Sequence, residues 1–516
     1  MPITPTYPGV YIQELPSAVR TITGVSTSIT AFIGRAKKGP VDEALLIHSF
    51  PEYERLYGGL WKESNMSYAV YQYFLNGGKD AVICRVHKNA KKSTFNIGPG
   101  LRLEASSPGG WTNQLRIGIG VKKGEDIDEE LSKDDETLFK LSIKLVDEKD
   151  ANKVIETETF PNISADILKP RFVSQILKSQ SNLVRVLQVT KVRPPQTNDL
   201  KPTTQGDDGQ SPTDTEIIGI PNAPKSGLYL LDNADLFNML CIPPYAGDIR
   251  TSFTSSAVCS TAQDYCKKKR AMLIIDSPDD WIDKDKAKNN IDILDVMPAR
   301  TSYAAIWFPR VECPDPLDSN RVRTFVPCGI VAGLIARIDS DRGVWKAPAG
   351  IEATLIGVYN LKVHLTDDDN GDLNPLGINC LRNLPAAGIV AWGARTMRGA
   401  DRLTDQWKYL PIRRTALYIE ETLYRGTQWV VFEPNDEPLW ALIRLNVGAF
   451  MHDLYRKGAF QGTTPSEAYF VKCDHETTTQ YDIDRGIVNI VVGFAPLKPA
   501  EFVIISIQQI TRQEAQ

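Results

Sequence analysis

Five histidines are all the imidazole chemistry available to this 516-residue chain, and only one of them stands in a suggestive setting. His475-Glu476 begins like the zinc-protease helix His-Glu-x-x-His, where two histidines one turn apart hold the metal and the glutamate activates water. Thr479 occupies the place of the second histidine, and Cys473 with His475 makes too short a ligand set to build a site. The segment reads as a polar turn between a helix and a strand. Thr366-Asp367-Asp368-Asp369-Asn370-Gly371 has the acidic density of a calcium loop. With Gly371 in the sixth place, the first ligand position is Thr366 and the twelfth is Gly377, and neither supplies the carboxylates that the loop requires. An acidic, solvated turn is expected there. Gly118-Ile119-Gly120 is followed by Gly124, one place too late for a dinucleotide fingerprint. Gly34-Arg35-Ala36-Lys37-Lys38-Gly39-Pro40 lacks the Gly-Lys-Ser/Thr ending of a phosphate loop, and Pro40 obstructs the helix start that such a loop feeds. No Gly-x-Ser-x-Gly elbow is present, and no histidine adjoins a plausible nucleophile, Ser49 after His48 being read as a helix cap. These residues predict no enzyme, no metal and no cofactor.

The elements that would hold such groups are better defined than the groups themselves. With 42% hydrophobic and 24% charged residues the chain is ordinary globular material, and its length predicts two to four domains. A formal net charge of −4 offers no global basic excess for nucleic acid. The start, with Pro2, Pro5 and Pro8, has no secretory layout, and the apolar runs are too short to cross a bilayer. A soluble chain made in the cytoplasm is expected, with its eight scattered cysteines reduced and buried.

Residues 1–20 read as an extended arm in which Val10, Tyr11, Ile12, Gln13 and Glu14 form a strand bracketed by Pro8 and Pro16. Residues 21–87 and 217–343 alternate strand and helix, as in TSITAFIGRA, SFPEYERLYGG behind the cap Ser49, AMLIIDSP and VPCGIVAGLIARIDSD. They predict one discontinuous α/β domain. Residues 88–216 are different: short alternating strands, such as LRLEAS and LFKLSIKLVD, predict a β-rich surface insertion. Its polar end, 191–216, has too few apolar residues to order itself and is expected to be a mobile loop. Residues 344–516 form the last region. Its helix Leu439–Lys457 is punctuated by Pro438 and Gly458 and is expected to bury Leu442, Leu445, Ala449, His452 and Tyr455. Arg413, Arg414, Arg444, Arg456 and Lys457 read either as surface charges with local salt bridges or as a basic face for an acidic partner.

Near the chain end, Phe502, Val503, Ile504, Ile505 and Ile507 are apolar on both faces, as in a strand buried within a sheet. Left unpaired, such a strand is an aggregation hazard; added to a neighbour's sheet, it supplies main-chain hydrogen bonds. A donor at one end and an acceptor elsewhere makes a head-to-tail contact, which generates rings or open helices.

Three sets of residues, in order, resemble the contractile tail sheath proteins of phages and related injection particles. They are PGVYIQE with TSITAFIGRAKKGP; VWKAPAG with GINCLRNLPAAGIVAWGARTM; and YLPIRRTALYIEETLYRGTQWVVFEPND through PLWALIRLNVGAFMHDLYRKGAFQG to the strands after Asp484. The resemblance implies a mixed α/β, multidomain fold: a C-terminal α/β core with the N-terminal arm, a nested outer α/β domain and the β-rich insertion. It implies a structural subunit that polymerises helically around an inner tube and contracts to drive that tube through a target envelope. A cap or baseplate component built on the same core is the alternative. Val10–Glu14 and Phe502–Ile507 would then link subunits by adding strands to a neighbour's sheet, and Arg413, Arg414, Arg444, Arg456 and Lys457 would face the tube. The implied partners are further copies, the inner tube, baseplate and cap proteins and sister sheath proteins, with no nucleic acid and no insertion into a membrane. The implied location is the cytoplasm during assembly and then a phage virion or a released tail-like particle. Arm and core in one chain favour such a particle over secretion systems that divide the core between two proteins.

Overall fold

The computed structural model describes residues 21–128, 136–245, 254–293 and 298–506. The arm strand Val10, Tyr11, Ile12, Gln13 and Glu14, and Ile507 at the other end, lie outside these residues. The chain forms two units: the described residues up to Thr27, Ile338–Ala347 and those from Asp405 onward make the smaller, and Ser28–Arg337 with Pro348–Thr404 make the larger.

Near-continuous apolar runs build the larger unit. Its eight-stranded sheet contains β1 (Thr30–Gly34), β2 (Leu45–Ile47), β3 (Ala81–Arg85), β4 (Met239–Cys241), β5 (Met272–Asp276), β6 (Ala304–Phe308), β7 (Ile378–Leu384) and β8 (Gly388–Ala391). The order is β8-β7-β6-β5-β4-β1-β3-β2. Every pair from β7 to β3 is parallel, and β8 and β2 close the two edges antiparallel. Strands β1, β3, β4, β5 and β6 are buried throughout, as parallel strands covered on both faces must be. Crossovers include the helices Asn65–Leu75 and Ser256–Lys269, whose first turns are capped by the hydroxyls of Ser64 and Ser255. The expected cap Ser49 likewise accepts from the Glu52 amide at the head of Phe50–Tyr57.

Residues 88–216 carry their own core. One sheet runs Thr197–Leu200, Leu115–Gly120, Leu138–Val146, Val154–Ser164, and a second joins Thr94–Ile97, Leu101–Ala105 and Val184–Val189. Strict alternation in Leu115–Gly120 turns Leu115, Ile117 and Ile119 inward against Phe139, Leu141 and Ile143.

Three expectations are corrected here. The 191–216 segment is not a loose loop: Thr197–Leu200 pairs with Leu115–Gly120, and bridges tie Asp207 to Lys91 and Gln210 to Lys88. Hydrogen bonds order it where apolar burial is missing. The Asp208 carboxylate accepts from the Gly110 amide at 2.7 Å, and Asn113 both donates to and accepts from the Gly206 backbone. The 344–516 region is also divided, because β7 pairs parallel with β6 and so draws residues 348–404 into the larger unit. The acidic turn at Thr366 is instead the start of a helix, Asp367–Leu373. Thr366 and Asp369 form a reciprocal capping box, and three aspartates in the first turn suit the positive helix end. Lys284 pairs with Asp369 at 2.8 Å and, with the Thr366 cap, holds that carboxyl down at about 2.

The smaller unit is helical, with Leu410–Gly426 and Glu437–Arg456 packed with a strand pair, Tyr469–Lys472 and Val491–Phe494. Asp436 caps the second helix, Pro438 lies in its first turn, and Gly458 takes the left-handed conformation (φ 77°) just past its end. Its buried face differs from the expected one. Trp440, Ile443, Val447, Phe450 and Leu454 are buried, whereas Leu445, Ala449 and His452 are exposed. Both stripes obey the same three-and-four spacing, and the one with the larger side chains faces the core.

Candidate functional site

The five basic side chains of the smaller unit have separate fates. Arg413 and Arg414 are each 4% exposed, so neither presents a charge to a partner from this fold. Both belong to Leu410–Gly426, a helix that buries most of its first two turns and therefore takes its charges inward. The Arg414 fork donates to Asp339 at 2.7 and 2.6 Å and to the Thr27 carbonyl at 2.9 Å. The Arg413 guanidinium lies 4.4 Å from the Trp407 ring centre and 3.2 Å from Glu420. Arg444, Arg456 and Lys457 reach the surface. Arg444 pairs with Glu437 at 2.5 Å and donates to the Cys473 carbonyl, and Lys457 pairs with Asp453 at 2.7 Å. Arg456 makes no ion pair among the described residues.

Cys473 is buried, and burial pushes its thiol up to about 11. Its neighbour Asp474 closes a turn by accepting from the Glu476 and Thr477 amides. All eight cysteines are free and buried. Among the described residues, no group of three or more His, Cys, Asp or Glu stands where it could hold a metal, and no helix is long and apolar enough to cross a membrane.

Two apolar features have no strand partner or cover among the described residues. The strands Tyr469–Lys472 and Val491–Phe494 pair only with each other among the described strands, leaving an outer backbone row on each. One face of the pair is anchored, with Tyr469, Val471, Val492 and Phe494 against the helical core. Residues 501–506 join no sheet, and Phe502, Val503, Ile504 and Ile505 are 74, 80, 90 and 79% exposed. Four large apolar side chains in a row, left in water, are what a soluble chain avoids unless something covers them.

A further feature has no counterpart in the residues singled out from sequence. Between the two helices the chain makes a short turn, Gln428–Val430, and then Phe432 adopts φ +70° with its side chain fully exposed. A bulky residue there is strained, and it persists only where its surroundings hold it. They do: the Glu433 amide donates to Val430, Asn435 donates to the Ile487 carbonyl, and Trp440 Nε1 donates to Asn435. Val431 beside it is exposed too. The legible signal was the WVVFEPND run, which places apolar residues where an interhelical loop is normally polar.

The phage tail sheath central domain matches residues 234–397, and the phage tail sheath C-terminal domain matches residues 403–510, together just over half of the sequence. The chain belongs to the phage tail sheath family. No curated protein matches it by sequence. Its fold recurs in the contracted sheath complex of the PVC extracellular contractile injection system, at TM-score 0.59 and 21% identity over 99% of both chains. It recurs in the anti-feeding prophage baseplate, at TM-score 0.58 and 21% identity over 98% of this chain and 100% of that one. A sheath tail protein of Listeria innocua shares it at TM-score 0.60 and 13% identity, over 92% of this chain and 96% of the other.

Proposed function

We propose that this chain is the sheath subunit proper: it polymerises helically around an inner tube and contracts to drive the tube through a target envelope. The observation that carries this reading is the exposed segment Phe502–Ile505, in a unit whose strand pair takes no third strand among the described residues. Phe502, Val503, Ile504, Ile505 and Ile507 would extend a neighbour's strand pair, and Val10, Tyr11, Ile12, Gln13 and Glu14 would add to it, so that each subunit is both donor and acceptor. Such a contact is heterologous, and it closes into a ring or continues as a helix. Tube contact would fall to Arg444 and Lys457, which reach the surface, and the burial of Arg413 and Arg414 speaks against a place for them there. The role is mechanical, with no catalytic step. Assembly would take place in the cytoplasm, with baseplate, cap and sister sheath proteins as further partners.

A second reading is a cap or baseplate component, favoured by the full-length likeness to a chain of the anti-feeding prophage baseplate. Negative-stain electron microscopy of the purified chain, alone and with its tube protein, separates the two. Hollow cylinders are expected; monomers or closed rings alone, with both termini intact, would move the assignment to a cap or baseplate.

A further inference from the structure

The Glu437–Arg456 helix is twenty residues long, so about 30 Å separates its ends. Those ends differ in charge and in shape. At the first stand Glu433, Asp436 and Glu437, all exposed, with Phe432 projecting fully into solvent from a strained backbone. The Glu433 carboxylate makes no ion pair among the described residues. At the second stand Arg456 and Lys457. Beside them lies an aromatic cluster at the surface: His452 against Tyr455 at 6.0 Å and against Tyr469 at 6.4 Å, with Tyr469 Oη 3.2 Å from His452 Nδ1. Asp453, the acidic group at this end, is neutralised by Lys457, which leaves Arg456 as the uncompensated charge. Among the described residues, one end is an aromatic knob beside an unpaired carboxylate, and the other an aromatic bed beside an unpaired guanidinium.

We propose that these two ends dock head to tail between two copies of this chain: Phe432 packs on the His452–Tyr455–Tyr469 cluster of the next subunit, and Glu433 pairs with its Arg456. The proposal rests on the sheath reading above and adds a contact separate from the strand exchange. It accounts for the backbone at Phe432, since a left-handed aromatic is unfavourable in a monomer and is retained where its projection is used. It also accounts for direction, because opposite charges at opposite ends of one helix repel a head-to-head approach and favour head-to-tail stacking. Arg456 is thereby assigned to a neighbouring subunit and not to the tube.

Four variants of the full chain test it: Phe432→Gly, Glu433→Arg, Arg456→Glu and the double exchange Glu433→Arg with Arg456→Glu. The readouts are melting temperature and the critical concentration for polymerisation, the latter measured by pelleting and microscopy with and without tube protein. Phe432→Gly is expected to melt no lower than the parent, because glycine takes φ +70° freely, and yet to raise the critical concentration about tenfold. Each single charge change is expected to raise it about tenfold and the double exchange to bring it back within about threefold. Parental polymerisation of Phe432→Gly, or a double exchange no better than its worse single, would overturn the proposal. So would variants that polymerise normally alone and fail only with the tube, because the contact would then belong to the tube. A parental chain that forms no polymer under any condition removes the sheath reading itself, and this contact with it.

Discussion

Arg414 and Asp339 are each 3% exposed as side chains and form a two-point ion pair that also gathers in the Thr27 carbonyl. A pair this deep contributes little net stability over a well-packed apolar equivalent, but breaking it strands a charge. Arg414→Ala should therefore destabilise the chain by about 3–5 kcal/mol in urea denaturation, whereas Asp339→Asn with Arg414→Met should cost much less. A small effect of Arg414→Ala would mean that water reaches Asp339. The reverse electrostatic case is Asp276, buried at the end of β5 with Oδ1 accepting from the Cys328 amide at 2.9 Å. Burial raises its carboxyl to about 6, against the opposing pull of that amide and of Arg310. A folded value above the ordinary 3.8 means that its favourable contribution is complete below that pH and is lost as pH rises through about 6. Asp276→Asn should flatten the stability profile across that window and gain on the order of 1–3 kcal/mol at pH 7. Denaturation of both proteins at pH 4.5 and pH 7 reads this directly, and an unchanged difference between the two pH values would show that Arg310 sustains the ionised form.

At the scale of elements, the Glu437–Arg456 helix shows how spacing and packing divide the work. Its ends are legible in sequence, because Asp436, Pro438, Arg456 and Gly458 each meet a local requirement of a helix terminus. Its buried face is not, because two apolar stripes compete and only the neighbouring elements choose between them. Ile443→Ala should cost about 2–4 kcal/mol and Leu445→Ala less than about 1 kcal/mol, read as shifts in urea midpoint at constant slope. Equal costs would mean that Leu445 is covered in the folded chain. The polar segment around Gly206 and Asp208 is the opposite case. Composition argued against order there, and side-chain bonds from Asn113 and Asp208 to backbone groups provide it. Such bonds depend on partners about 95 residues away in the chain, which no local pattern records.

For the whole molecule, the two chain ends carry the proposed assembly. Removal of residues 1–20, or of residues 502–516, should leave a chain whose circular dichroism melt stays within a few degrees of the parent and which forms no cylinders. The described part of the second segment supports the first half of this expectation, since Phe502–Ile505 lie exposed and, among the described residues, join neither the core of the parallel sheet, nor that of the insertion, nor that of the helical unit. Normal cylinders from either truncation would remove strand exchange as the link between subunits.

Sequence alone determined the family, the mixed α/β multidomain fold, the cap Ser49 and the two ends of the Glu437–Arg456 helix. Each of these rests on contacts within a few residues or on the identity of a motif. Tertiary structure alone decided that β7 joins the central sheet, that Arg413 and Arg414 are buried, which face of the Glu437–Arg456 helix is internal, and that Phe432 projects from a left-handed backbone. These depend on which distant residue arrives to pair with a strand, neutralise a charge or cover a stripe. Arginine looks the same in sequence whether it meets solvent or a buried aspartate, and Asp339 stands 75 residues from Arg414.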